Sequence, residues 1–189
     1  MLLSEVQAGI YAGMWEMTVN TKKLQKDWVD LPEKTLYTDH FYIIQSLPNA
    51  KKVCFLDFPV YCYRLGYDEQ SVSLVSRKKH IDEIVRVSGL VSRYYVDFCK
   101  NTPNAVFARE RARFTYMEAH RAIQLKKCNI QTMMELKRFD EELRRIDADV
   151  YTECEKRSGR KSLAFLRRTK YTGFFIVYLK DYLRRKKRK

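Results

Sequence analysis

From Ile81 onward the apolar residues recur at helical spacing, and this periodicity restricts the back of the chain to packed helices. Ile81, Ile84, Val85, Val91, Tyr95 and Phe98 mark one face of a helix. Asn101-Thr102-Pro103-Asn104 breaks it. The spacing of Phe107, Phe114, Met117 and Ile123 predicts a second helix over 105–127. A third is predicted over 130–156, through Met133, Met134, Leu136, Phe139, Leu143, Ile146 and Val150. Gly159 interrupts the pattern, and Ser162 is placed to cap a last helix.

The front of the chain reads differently. Trp15 to Val19 has the composition of a short strand, and the D-L-P-E-K stretch around Pro32 that of a loop. Thr38 or Asp39 can cap a helix carrying Phe41, Ile43, Ile44 and Leu47, which Pro48 stops. Two strands are predicted at 53–56 and 60–64, separated by Asp57-Phe58-Pro59. The expected fold class is therefore α+β, mostly helical. A small strand-containing unit (1–73) precedes a helical bundle region (74–189).

Charge is distributed unevenly. The 189 residues carry a net +14, but residues 155–189 hold 14 Lys/Arg against two acidic residues. The remaining body is nearly neutral, so any argument about a charged partner concerns the tail. There the apolar run 174–179 leads into R-R-K-K-R-K. The run is far shorter than the ~20 residues needed to span a bilayer. It suits a helix lying in an anionic membrane interface, with Phe174, Phe175, Tyr178, Arg184, Arg185, Lys186 and Lys187 as the expected contacts. The other reading packs the apolar residues on neighbouring helices and leaves the basic run in solvent. The five cysteines are scattered without C-x-x-C, which points to a reducing compartment. Met1 to Tyr11 do not form a signal peptide. The expected location is the cytoplasm, peripheral on the inner face of the cell membrane where the tail engages it.

The most informative stretch is Y-T-D-H-F-Y-I-I-Q-S-L-P-N-A-K-K-V-C-F-L-D-F-P-V-Y-C-Y-R-L-G-Y-D-E-Q-S-V-S, residues 37–73. Tyr37, Asp39, Lys51, Lys52, Leu56, Asp57, Pro59, Tyr61, Tyr63, Arg64, Gly66, Gln70, Ser71 and Ser73 follow a pattern that resembles the acceptor-side region of bacterial sugar transferases of glycosyltransferase family 2. The match covers about a fifth of the chain. It implies an inverting transfer from a nucleotide sugar to a glycan or lipid-linked acceptor in surface polysaccharide synthesis. Such a transfer needs a base for the acceptor hydroxyl, and the resemblance puts that base at Asp39. The alternative for Asp39 is a plain helix cap. Tyr37, His40, Arg64, Gln70 and Ser71 are the implied substrate contacts; the alternatives are that His40 is a surface or half-buried residue and that Gln70-Ser71 begins the next helix. Asp57, Tyr61 and Tyr63 read as structural. The family often has Glu-Asp where this chain has Thr38-Asp39.

The resemblance also implies a nucleotide-binding half with an Asp-x-Asp that holds Mg²⁺ or Mn²⁺. Residues 1–36 contain no such motif. Asp147-Ala148-Asp149 is the one formal match, and its surroundings read as a solvated helix face. The chain is thus expected to be part of a larger enzyme, without a cofactor of its own and inactive alone. The rival expectation is a basic helical module that binds nucleic acid or protein without catalysis. Confinement of the charge to one end and the lack of a recognised binding motif argue against nucleic acid. No G-x-S-x-G, P-loop or H-E-x-x-H is present.

Overall fold

The computed structural model describes residues 1–6, 13–59, 61, 62, 64, 70–157 and 161–186. Tyr63, Gly66, Gly159 and Lys187 lie outside the described residues. The chain is mostly helical. Its helices are α1 (Thr21–Leu24), α2 (Asp39–Gln45), α3 (Leu74–Lys79), α4 (Ile81–Tyr94), α5 (Ala105–Ile123), α6 (Ile130–Ile146), α7 (Ala148–Arg157), α8 (Lys161–Arg168) and α9 (Phe174–Lys186). Short 3-10 turns cover Leu3–Glu5, Met14–Glu16 and Gln25–Asp27, and α4 widens into a π turn over Tyr95–Cys99.

The boundaries follow local chemistry. Ser73 accepts from the Ser76 amide and caps α3, and Asn129 accepts from the Thr132 amide at 2.8 Å and caps α6. The single long helix expected over 130–156 is instead two. Asp147 is extended and buried between α6 and α7. Its Oδ1 accepts from the Val150 amide at 2.7 Å and its Oδ2 from Lys100 Nζ at 2.7 Å. A carboxylate that satisfies the first turn of the next helix competes with continuation of the previous one. Asp147 is therefore a buried cap and not part of a solvated face. The second helix of the region also ends earlier than its apolar spacing suggests, at Ile123.

The expected strands do not form a sheet among the described residues. Trp15 lies in a 3-10 turn whose Glu16 carboxylate accepts from the Gly13 amide at 2.7 Å. Residues 53–56 make no ladder, and neither they nor Tyr61, Cys62 and Arg64 have regular structure. The pairing nearby is an isolated antiparallel bridge, Leu2 with Lys52. Strand propensity reflects packing on a neighbouring strand, so a suitable sequence without that neighbour stays irregular.

The core is built on the α4–α5 pair. One apolar cluster joins Phe41, Ile44 and Leu47 of the α2 region to Val87, Val91 and Tyr94 of α4 and to Ala108, Ala112 and Tyr116 of α5. Asn104 closes the α2 end of this cluster by donating to the carbonyls of Leu47 and Ala50, at 2.8 and 2.6 Å. A second cluster gathers Ile81, Ile84, Ile123, Leu136, Leu166, Tyr171, Phe174 and Val177. Phe174, expected at a membrane, is thus fully buried against other helices. Tyr178 packs beside it, with the rings 5.9 Å apart.

Between the clusters runs a buried polar strut. Arg167 of α8 grips Asp140 of α6 through two parallel hydrogen bonds, Nη2 to Oδ1 at 2.7 Å and Nε to Oδ2 at 3.1 Å. Tyr116 of α5 donates its hydroxyl to the same carboxylate. The guanidinium lies 3.5 Å from the centre of the Tyr151 ring and donates to the Tyr151 carbonyl at 2.8 Å. One residue of α8 thereby ties together α6 and α7.

Candidate functional site

Of the motif residues, Tyr37, Asp39, His40 and Ser71 meet at the start of α2. Thr38 occupies the N-cap position without a side-chain capping bond, and Asp39 follows as the first helical residue. Asp39 is thus one residue too late to serve as the cap. Its neighbour Tyr37 has φ 65°, in the left-handed region that an aromatic residue rarely adopts. That turn directs the Tyr37 hydroxyl to the Ser71 carbonyl, to which it donates at 2.7 Å. Burial, followed by smaller opposing effects of Ser76 and Arg77, leaves the Tyr37 hydroxyl above its ordinary range. The preceding loop is clamped to α4. The Leu36 amide donates to Glu83 at 2.6 Å, and His80 holds the other Glu83 oxygen at 2.5 Å. Those hydrogen bonds lower the Glu83 carboxyl.

His40 points inward. Arg111 of α5 donates to its Nδ1 at 3.3 Å, and its ring lies 5.5 Å from that of Phe114. Acceptance at Nδ1 assigns the neutral tautomer with the proton on Nε2. Burial depresses the His40 pKa, Arg111 and Arg77 add to this, and the carboxylates of Asp39 and Glu118 oppose it. The folded state therefore takes up its proton at a lower pH than the unfolded chain, whose value is about 6.5. Stability from this site is complete above that value and declines as the pH falls below it, by at most about 1.4 kcal/mol per pH unit. His40→Gln keeps an acceptor for Arg111, and it should flatten the slope of unfolding free energy measured by urea titration between about pH 7 and 5. An unchanged slope would show that His40 is not held neutral.

Of the remaining predicted contacts, Gln70 and Arg64 are joined to one another, since the Gln70 amide donates to the Arg64 carbonyl. Ser71 is joined to Tyr37 through its backbone and not its hydroxyl. Arg77, Glu83, Arg111 and Glu118 also belong to this neighbourhood, which the motif did not indicate. Arg77 reaches Glu118 at 2.6 Å. They come from α3, α4 and α5, and helical periodicity alone marks only the two on α5, Arg111 and Glu118, as inward-facing.

The family resemblance puts its divalent cation on the nucleotide-binding half. Among the described residues no three His, Cys, Asp or Glu side chains gather as metal ligands. Lys100 bridges Asp147 and Asp149, at 2.7 and 3.6 Å. A groove of about 290 Å³ between α4 and α6, lined by residues such as Val85, Gly89, Phe139 and Glu142, includes none of the predicted contacts.

Among the described residues, no helix is long and apolar enough to cross a membrane. Comparison with protein-family models, curated proteins and solved structures found no match to this chain.

Proposed function

We propose that this chain is the acceptor-side part of an inverting, nucleotide-sugar-dependent glycosyltransferase, with Asp39 as its general base. The observation that carries the reading is the hydrogen bond from Tyr37 to Ser71, across 34 residues of sequence. It unites the two ends of the motif, the acidic helix start and the Gln-Ser loop, on one patch. A strained, half-buried turn held by a long-range hydrogen bond is a common companion of functional sites. Asp39 at its edge is free of the N-cap position. Between these ends Phe55, Leu56, Phe58 and Tyr61 are exposed. Such a row of apolar side chains suits a surface covered by a donor-binding half of the enzyme.

In the proposed reaction Asp39 takes the proton of an acceptor hydroxyl as its oxygen attacks the anomeric carbon. The new C–O bond forms while the bond from that carbon to the diphosphate oxygen breaks. The nucleoside diphosphate departs with the electron pair, and configuration inverts. His40, neutral and fixed by Arg111, acts as a positioning residue beside the base. The remaining charge stabilisation belongs to the donor-binding half.

The 189-residue chain incubated with a panel of nucleotide sugars and candidate acceptors is expected to release no nucleoside diphosphate. The polypeptide extended by the coding sequence upstream of Met1 is expected to carry an Asp-x-Asp in an α/β half and to turn over. Turnover by the short chain would contradict its dependence on a second half. An upstream frame without such a half would sink the transferase reading.

A further inference from the structure

Helix α9 has two apolar faces, and the core uses only one. Phe174 and Val177 are buried, with Tyr178 packed beside them. Phe175, Ile176, Leu179, Tyr182 and Leu183 are instead between 41% and 66% exposed. At 100° per residue these five fall within an arc of about 120°, a continuous outward stripe. Single exposed apolar residues are unremarkable, but a stripe of this width on one helix is a contact surface.

The orientation of the stripe is fixed by the turn before it. Lys170 and Tyr171 both adopt left-handed backbone, φ 48° and 72°. Gly173 is approached so closely by the Phe165 ring that a Cβ would lie 2.3 Å from it. The buried Tyr171 and Phe174 then fasten the start of α9 to the body. The outer face can therefore meet a flat surface without the helix leaving the protein.

We infer that α9 lies flat in the headgroup region of an anionic lipid bilayer, with Phe175, Ile176, Leu179, Tyr182 and Leu183 inserted. Charge selects this occupant. Lys180 and Arg184 are exposed along one margin of the stripe, and the sequence continues into Arg185, Lys186 and three more basic residues. Apolar residues flanked by Lys and Arg match the two components of an anionic interface, acyl chain and phosphate. A second copy of this chain would bring another strongly basic tail against the first. A helix of 13 residues spans about 20 Å, so it lies along the bilayer and does not cross it. This refines the sequence expectation, because Phe174 and Tyr178 serve as the anchor to the protein and not as lipid contacts. The inference does not rest on the transferase reading.

The test is flotation of the full chain with vesicles of phosphatidylcholine mixed with phosphatidylglycerol, and with phosphatidylcholine alone. The chain should float with the anionic vesicles, less so as salt is raised, and weakly with the neutral ones. Arg184→Gln, Arg185→Gln and Lys186→Gln together should lower vesicle affinity roughly a hundredfold, about fivefold for each charge. Ile176→Gln with Leu179→Gln alters only exposed positions and should lose at least roughly tenfold while keeping the melting temperature. Tyr182→Trp should show a blue-shifted emission on anionic vesicles, which tests insertion without removing any contact. Failure to float, equal flotation with both vesicles, or full binding by the double variant at Ile176 and Leu179 would each overturn the inference. So would light scattering that finds a dimer dissolved by those two substitutions, since the stripe would then cover a second copy. Asp39→Asn should float unchanged, which separates this result from the catalytic one.

Discussion

Asp140→Asn is expected to destabilise the protein by about 3–5 kcal/mol, the usual cost of removing one partner from a buried ion pair. Asp140 and Arg167 have side chains only 3% and 6% exposed. With the carboxylate neutralised, the Arg167 guanidinium stays buried and, among the described residues, keeps Glu155, 3.3 Å away and half in solvent, as its opposing charge. Tyr116 also loses the charged form of its acceptor. Urea unfolding followed by circular dichroism measures the effect. The companion expectation concerns the pair. Asp140→Leu combined with Arg167→Met and Tyr116→Phe should be much closer to the parent than either charge removal alone, because no buried charge is left without a partner. Arg93–Glu142 supplies an internal comparison at the same bond type. Its side chains are 64% and 54% exposed, so Glu142→Gln should change stability by less than about 1 kcal/mol. If Asp140→Asn were as mild as Glu142→Gln, the strut would be dispensable and the α6–α8 join would rest on apolar packing alone.

The strut also illustrates what a sequence leaves hidden. Helices α4, α5 and α6 were legible because their apolar residues repeat at helical spacing, and burial of Ile84, Val91 and Leu136 follows that pattern. Asp140 was not, since a charged residue in a charged helix looks solvent-facing until Arg167 arrives from another helix. Asp147 misled for the same reason. Its extended backbone is stabilised partly by Lys100, 47 residues away. The strand readings at 15–19 and 53–56 used residue types that favour a pleated surface, but a sheet needs a partner as well as a suitable composition. In α9 six consecutive apolar residues give no phase, so which face turns inward was decided by the turn at Lys170 and Tyr171. At the candidate site, Tyr37, Asp39 and Ser71 were legible as a motif. The supports around them, Arg77, Glu83 at the Leu36 amide and Arg111 at His40, were not, because those three side chains come from three different helices.

Asp39→Asn, in a polypeptide that includes the proposed donor-binding half, is expected to lower kcat by about 10²–10⁴-fold with little change in KM. The amide matches the carboxylate in size and keeps its place in the first turn of α2, but it cannot take a proton. Binding should therefore persist while the chemical step fails, and this split separates a base from a residue that merely shapes the patch. The same substitution has a readout in the 189-residue chain. Asp39 is the largest of the influences holding the His40 pKa up against burial. Its neutralisation should move the His40 titration, followed by NMR of the imidazole protons, to still lower pH. A His40 that titrates unchanged would mean that the two side chains do not sense one another, and the proposed site would lose its centre. A shifted titration with undiminished kcat would keep the geometry but remove Asp39 as the base. The carboxylate that accepts the proton would then have to come from elsewhere on the patch, with Glu83, which accepts from the Leu36 amide beside Tyr37, as the next residue to replace.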